Sequence, residues 1–172
     1  MKITFLGTAS MVPTKDRSTF SIALQYEGET ILIDCGEGTQ RQLRKANLHP
    51  ANVDKILITH WHGDHVLGLP GLIQSASASV QDKVIEIYGP KGTKRYLKQM
   101  LTMFHHRNTL RIKVTEITKK IETNKYIIET ARMDHPASCL AYSFKEKDRR
   151  KINLDYTKKF GLKQHPLLGQ LQ

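Results

Sequence analysis

Several features are scarce in this chain of 172 residues, and each scarcity excludes a class of protein. The two cysteines, Cys35 and Cys139, are too few for the disulfide framework of a small secreted domain, so we expect reduced thiols packed in the core. No apolar run approaches the length of about 20 residues that a transmembrane helix needs. The first residues do not resemble a signal peptide, because their short apolar stretch soon meets a polar segment. We therefore expect a cytoplasmic protein with no membrane partner.

Acidic residues are also few relative to basic ones. The chain has 27 Lys and Arg against 16 Asp and Glu, which gives a net charge of +11. Such a charge favours a polyanionic partner, because each Lys or Arg placed near a phosphate releases condensed counterions. A generally lysine-rich proteome would give the same excess, so charge alone favours nucleic acid only slightly. A hydrophobic content of 39% suffices for a buried core and predicts, most simply, one domain.

The most informative segment reads THWHGDH at residues 59–65 and follows an apolar strand pattern directly. Imidazole nitrogens and carboxylate oxygens are ligands that suit zinc and its first-row neighbours. In an extended segment, residues two apart point to the same side, so His60 and His62 can hold one ion. Asp64 and His65 follow where the chain turns and can reach a second ion. The alternative, a chance cluster of surface histidines, is disfavoured by this regular spacing after a strand, and the sequence predicts a two-metal site.

Hydrophobic patterning predicts a strand-rich chain of the α/β (α+β) class. The metal motif falls at the C-terminal end of a strand, where loops of α/β sheets usually carry chemistry. Strands are predicted at 2–7, 20–26, 30–34, 56–59, 84–88, 111–117, 126–131 and 139–144, and helices at 39–46, 69–80 and 93–104.

The pattern His-x-His-x-Asp-His at residues 60–65 resembles the signature of the metallo-β-lactamase superfamily, a group of mostly zinc-dependent hydrolases. Further blocks narrow the resemblance to ribonuclease Z, the tRNA 3′-processing endonuclease family. The blocks occur in that family's order and spacing and read GTASMVPT at 7–14, DCGEGTQ at 34–40, GLPGL at 68–72 and YGP at 88–90. The resemblance implies an αββα sandwich, of which residues 1–144 form the N-terminal half. Residues 145–172 would form the beginning of a flexible arm.

The resemblance also implies roles for the site residues. His135, which follows a predicted strand, would complete the first zinc's trio with His60 and His62, although a lone histidine at a strand end is more often a surface residue. Asp64 and His65 would hold the second zinc, and Asp64 would also help to orient and deprotonate the attacking water. A complete active site would hold two zinc ions. Two ligands are too few for a tight site, so we expect the isolated chain to hold at most one of these ions well. The same ligands accept manganese or iron.

Asp34 has two interpretations that can hold together. In the superfamily, an aspartate at this place supports the histidine cluster by hydrogen bonding and thereby fixes the orientation of an imidazole. Alternatively, its side chain caps a helix that starts near Glu37. His105 and His106 are adjacent at a predicted helix end, where the helix dipole favours them, and no metal site is expected there.

A basic segment begins at Lys145. A solvated, mobile tail is the usual explanation of such a run. By position, however, the segment resembles the start of the arm with which ribonuclease Z grips the tRNA elbow, where lysine and arginine would bind phosphates without reading sequence. The candidate RNA-binding residues are Lys145, Lys147, Arg149, Arg150, Lys151, Lys158, Lys159 and Lys163.

The family's second half supplies a bridging aspartate, a last zinc-binding histidine and a histidine proposed as general acid, and residues 1–172 contain no counterpart of them. The chain is therefore interpreted as a ribonuclease Z that is cut short, that is recorded only in part, or that is split between two chains. In the last case, a second chain would supply the missing ligands. The complete assembly, expected to be a homodimer, would cut the 3′ trailer from precursor tRNA and leave a 3′-hydroxyl on the tRNA and a 5′-phosphate on the trailer. Two alternatives stay open: another phosphodiesterase of the superfamily, and a non-catalytic tRNA-binding half.

Overall fold

The structure, a computed structural model, describes residues 1–105, 109–117, 119–148 and 153–161. Six strands form one large sheet in chain order. Strands β1 to β3 are antiparallel neighbours, whereas β3 to β6 run parallel to one another. The strands are β1 (Lys2–Gly7), β2 (Ser21–Tyr26), β3 (Glu29–Ile33), β4 (Val53–Leu57), β5 (Val84–Gly89) and β6 (Arg111–Glu116).

Helices connect the parallel strands, because parallel neighbours need a crossover rather than a hairpin. Buried leucines of these helices share one apolar cluster with Ile56 and Ile87 of the large sheet, so the helices form a layer on one of its faces. No helix in the described ranges is long and apolar enough to cross a membrane. The helices are α1 (Thr39–Lys45), α2 (Gly63–Val66), α3 (Leu69–Ser77), α4 (Thr93–Thr102) and, after the last strand, α5 (Leu154–Lys158).

A second, three-stranded antiparallel sheet covers the other face of the large sheet. It consists of β7 (Lys120–Glu122), β8 (Tyr126–Met133) and β9 (Cys139–Glu146). Tyr126 and Leu140 of this sheet pack in one apolar cluster with Ile31 of the large sheet. The layers are therefore helix, sheet and sheet, and the predicted α/β class is confirmed.

Several predicted boundaries differ from those observed. Helix α3 ends at Ser77 rather than at residue 80, and α4 ends at Thr102 rather than at residue 104. The Thr102 hydroxyl donates to the Gln99 carbonyl at 2.8 Å, a local bond that competes with helix continuation. His105 therefore lies beyond the helix rather than at its end, and His106 is outside the described residues. Strand β9 was predicted to end at residue 144 but runs to Glu146, and so includes the first two residues of the arm predicted from residue 145.

A largely buried lysine secures β4, the strand that leads into the metal motif. Lys55 forms an ion pair with Glu29 on β3, and its ammonium lies 3.5 Å from a carboxylate oxygen of Glu86 on β5. Tyr126 of the small sheet donates its hydroxyl to Glu29. Because a buried charge is costly without partners, these contacts constrain β4 relative to both sheets.

The substitution Glu86→Gln tests this network through its dependence on pH. Burial opposes ionisation of Glu86, but bonds from Lys113 and Tyr88 outweigh it and lower the pKa. Because the folded-state pKa lies below that of the unfolded chain, the stabilisation is present above a pH of about 4.5 and is lost as the pH falls through the folded-state value.

At neutral pH, Glu86→Gln should lower the free energy of unfolding by about 1 kcal/mol or less, as measured by urea denaturation. The difference should vanish in acid. Glu146→Gln, at the exposed end of β9, serves as the control. A loss of the same size at both pH values would contradict this assignment.

Candidate metal centre

Two neighbouring parallel strands position the centre. After β3, Asp34 adopts a left-handed conformation with φ of 57°, which turns its side chain out of the strand. Strand β4 ends at Leu57, and the chain then leads through Thr59 to His62, an extended residue that precedes the short helix α2 at Gly63. Because parallel neighbours end at the same edge of a sheet, Asp34 and the metal motif meet there.

The Asp34 carboxylate is fully buried and accepts three hydrogen bonds. Its Oδ1 accepts from the backbone N–H of Thr59 at 2.7 Å, and its Oδ2 accepts from the Thr59 hydroxyl, also at 2.7 Å. The third bond comes from Nδ1 of His65 at 2.7 Å. The alternative role as a cap of α1 is wrong, because that helix begins at Thr39 with Gly38 as its N-cap and without a side-chain cap.

These bonds fix the tautomers of two imidazoles. The single hydroxyl hydrogen of Thr59 is used on Asp34, so Nδ1 of His60, 2.9 Å from that hydroxyl oxygen, must be the donor. His65 must likewise donate from Nδ1, because an ionised carboxylate only accepts. In the neutral state, each ring therefore has its unprotonated nitrogen at Nε2, the form in which a histidine binds a metal ion.

The structure brings His60, His62 and His135 together. One ring nitrogen from each can be chosen so that all three lie within 4.8 Å of one another, and among the described residues only these three form such a group. His60 is buried and His62 is exposed, so the cluster opens to solvent on one side. Nδ1 of His135 accepts from the Ala137 backbone N–H at 3.1 Å and also lies 3.2 Å from the Ala137 carbonyl oxygen, so these contacts orient the ring without fixing its tautomer.

His135 reaches the cluster because the two sheets are joined next to it. It lies in the connection between β8 and β9, whereas His60 and His62 follow β4. The Leu140 N–H donates to the Thr59 carbonyl at 2.9 Å, and the Tyr142 hydroxyl donates to the Ile58 carbonyl at 2.7 Å. Both bonds hold the start of β9 against the end of β4, so the histidines converge only when the sheets are stacked.

Asp64 and His65 lie beside this cluster. The ring of His65 is centred 4.1 Å from that of His60, and its Nε2 is 3.3 Å from Oδ2 of Asp64. The same carboxylate oxygen accepts from the backbone N–H of Met11 at 2.9 Å. Three imidazole nitrogens fit a zinc-type ion, whereas a second ion beside them would receive only Asp64 and His65 from the described residues.

The local environment sets the charges of these groups. Burial, and then the neighbouring His65, lower the pKa of His60, which favours the neutral, ligand-competent form. Burial also acts to lower the pKa of His65, but its bond to Asp34 raises it overall. For Asp64 burial would raise the pKa, yet the N–H of Met11 and the charge of His65 lower it. Asp64 is therefore an ionised carboxylate at neutral pH.

Two further residues contribute that the sequence analysis missed. Thr59 links Asp34 to His60, and its place directly before His60 was a usable signal. The backbone N–H of Met11 holds Asp64, a contact that no residue type could reveal. Cys35 lies in the core as expected, and its burial raises the pKa of the thiol to about 12, so it is no candidate thiolate ligand. Cys139 is half-buried, and both thiols are free.

The candidate RNA-binding residues that the structure describes do not belong to the histidine cluster. Lys145 is on β9, and Lys147 pairs with Glu122 at 2.7 Å. In the described part of the chain, the structure does not bring these lysines to the histidine cluster. Lys158 and Lys159 are exposed at the end of α5. The remaining candidates lie outside the described residues: Arg149, Arg150, Lys151 and Lys163.

Comparison with known proteins agrees with the fold and the site. The structure matches the short form of human tRNase Z with a TM-score of 0.79 at 33% identity, covering 87% of this chain and 66% of that one. A metallo-β-lactamase fold protein from Bacillus subtilis matches with a TM-score of 0.67 at 18% identity, covering 83% of this chain and 57% of that one, which shows the fold alone. The chain therefore has the metallo-β-lactamase fold, as expected.

The family assignment is equally direct. The family model described as anti-Pycsar protein Apyc1 matches residues 1–156, and the chain belongs to that family. The resemblance to ribonuclease Z is also confirmed. The ribonuclease Z of Thermococcus kodakarensis is 42% identical over 100% of this chain and 55% of its own length, and that of Nanoarchaeum equitans is 42% identical over 99% and 54%. The chain thus spans about half the length of the curated relatives it matches.

Replacing His135 by alanine tests whether the three histidines bind metal together. We expect His135→Ala to weaken zinc binding by at least about tenfold, because loss of even an outer partner of a ligand typically costs 10- to 100-fold. The measurement is zinc content after dialysis against a weak chelator. His105→Ala, which removes a histidine outside the cluster, should keep the wild-type content. Equal zinc content in all three proteins would contradict the site.

Proposed function

We propose that this chain supplies the N-terminal half of a zinc-dependent endoribonuclease that removes the 3′ trailer from precursor tRNA. The observation that carries the proposal is the cluster of His60, His62 and His135. It occurs on a fold whose curated relatives are named ribonuclease Z and whose structural match is a tRNase Z. The complete enzyme would be a cytoplasmic homodimer, or would take the remaining ligands from a second chain.

The three histidines would hold one zinc ion, and Asp64 with His65 would contribute to the site of a second. When bound, zinc polarises a phosphodiester and makes hydroxide available at neutral pH, and manganese or iron could serve the same donors. The hydrogen bonds at Nδ1 of His60 and His65 support this role, because each ring, when neutral, presents an unprotonated Nε2 without rearrangement.

Asp64 would act on the attacking water. Its carboxylate is ionised and held by the N–H of Met11, so it can orient the water and accept one of its protons. The water oxygen bonds to phosphorus on the side opposite the leaving group, and the bond from phosphorus to the 3′-oxygen of the tRNA breaks. The leaving 3′-oxygen takes up a proton. The tRNA then ends in a 3′-hydroxyl, and the trailer begins with a 5′-phosphate.

The basic segment would hold the tRNA away from the cut. We propose the division into residues 1–144 and an arm at 145–172, although β9 already includes the first two residues of that arm. Lys158, the last residue of α5, and Lys159 directly after it are exposed to solvent, and Lys158 is in an ion pair with Asp155 at 2.9 Å. Such contacts give affinity and orientation but no sequence readout.

A second candidate function is a phosphodiesterase with another substrate. It is favoured by the family model, whose description names an anti-Pycsar protein and not a tRNA-processing enzyme. Assays with two substrates, a chromogenic phosphodiester and a precursor tRNA, distinguish the two candidate functions. Cleavage of the small compound with negligible binding of tRNA-sized RNA would favour the second, and accurate trailer removal would favour the first.

In the complete assembly, His62→Ala, which removes a metal ligand, and Asp64→Ala, which removes a positioned general base, should each lower the rate of trailer removal by at least about 100-fold. Affinity for tRNA should be nearly unchanged, because these residues do not supply the basic arm. Cleavage by gel assay and binding by filter retention measure the two effects, with His105→Ala as the control. Full activity in either variant would disprove the assigned roles.

The double substitution Lys158→Ala and Lys159→Ala should weaken tRNA binding and make it less dependent on salt. The slope of log affinity against log salt concentration should become shallower by about 2, because each phosphate contact contributes about 0.9 to 1. The matched control is the exposed pair Lys119→Ala and Lys120→Ala beside and on β7. Equal slopes for the two double variants would argue against an RNA-binding arm.

A further inference from the structure

The single tryptophan of the chain lies between two histidines of the candidate metal centre. The indole N–H of Trp61 donates to the Thr93 hydroxyl at 2.8 Å, and that hydroxyl donates to the Pro90 carbonyl at 2.7 Å. The rings of Trp61 and Tyr96 lie 5.3 Å apart at an angle of 51°. The indole is therefore held in one orientation, with part of its surface packed against the helical core.

Beside this indole is a cavity of about 770 Å³. Trp61 and residues of α4, including Tyr96 and Met100, form one side of it. Residues 136–138 also line it, and they directly follow His135. The cavity is thus bounded by the neighbours in sequence of all three clustered histidines, and a group bound in it would lie next to the candidate metal centre.

The lining favours a flat, uncharged group attached to an anion. The described lining is aromatic, aliphatic, thioether and neutral polar, with Lys91 as its one charged side chain and no carboxylate. Exposed Lys94 and Lys98 extend the positive surface along α4, and the Arg95 guanidinium lies 4.7 Å above the Tyr96 ring. Aromatic side chains beside cations bind nucleotides through base stacking and phosphate contacts.

We propose that this cavity binds the nucleobase of the nucleotide next to the scissile phosphate. The base stacks on the exposed surfaces of Trp61 and Tyr96, and Lys91 contacts the attached phosphate. The volume lies within the range of about 300–1,000 Å³ that small-molecule pockets occupy, so a base and its ribose can be accommodated. The inference rests on the proposed function, in that it takes the substrate to be a nucleotide phosphodiester.

Tryptophan fluorescence reports ligand binding at this cavity directly, because Trp61 is the one tryptophan of the chain. The chain is titrated with adenosine 5′-monophosphate in the presence of a chelator, and ribose 5-phosphate is the control ligand. Stacking predicts saturable quenching by the nucleotide and little change with the sugar phosphate. Absence of saturable quenching, or equal effects of both compounds, would overturn the proposal, since equal effects would mean that only the phosphate is bound.

Variants at Tyr96 separate stacking from a general loss of structure. Tyr96→Leu should weaken nucleotide binding by about 5- to 100-fold, the effect of losing one base–aromatic contact, whereas Tyr96→Phe should retain it. Phe5→Leu replaces an exposed aromatic residue on β1 and should leave binding unchanged. Weakening of the same size in Phe5→Leu, or none in Tyr96→Leu, would contradict the subsite.

Failure of this proposal is distinguishable from failure of the proposed function. Nucleotide-dependent quenching in a protein whose complete assembly does not process precursor tRNA would support the subsite and disprove the tRNA assignment. Trailer removal by an assembly in which Trp61 fluorescence does not respond to the nucleotide would disprove the subsite alone.

Discussion

One buried carboxylate holds the candidate centre together. Asp34 is removed from solvent at the end of β3, and a buried carboxylate is tolerable there only because three donors reach it, two from Thr59 and one from His65. Each donor belongs to the metal motif, so the energetic need to satisfy Asp34 also fixes the backbone before His60 and the rings of His60 and His65. The orientation of the imidazoles is thus a consequence of burying a carboxylate between adjacent parallel strands.

The same arrangement makes the site depend on tertiary structure. His60 and His62 follow the large sheet, whereas His135 follows a strand of the small one. Backbone and side-chain bonds from β9 to the segment after β4 join the sheets at this point, and the apolar cluster between the sheets supports that contact. Metal binding should therefore be coupled to sheet stacking, because a bound ion would connect the two sheets.

The sequence predicted the local part of the site and only the local part. The spacing of His60, His62, Asp64 and His65 placed them together because a strand and a turn dictate their geometry. His135, far along the chain, could be assigned only through the resemblance to ribonuclease Z, since nothing near it in sequence indicates a ligand. The bond from Met11 to Asp64 depends on a backbone group in a distant loop and could not be inferred from residue types. The end of α4 was predicted two residues late because the apolar pattern continues beyond Thr102, whereas the helix ends at this residue, whose hydroxyl bonds to the Gln99 carbonyl.

The most direct test of this account is an anomalous difference map at the zinc edge from crystals of the chain grown with zinc. The account predicts one strong peak in contact with His60, His62 and His135, at the distance of about 2.0–2.1 Å typical of zinc and histidine nitrogen. A weaker peak, or none, is expected beside Asp64 and His65, where this chain offers fewer donors. A strong peak elsewhere, with none among the three histidines, would contradict the assignment of the centre.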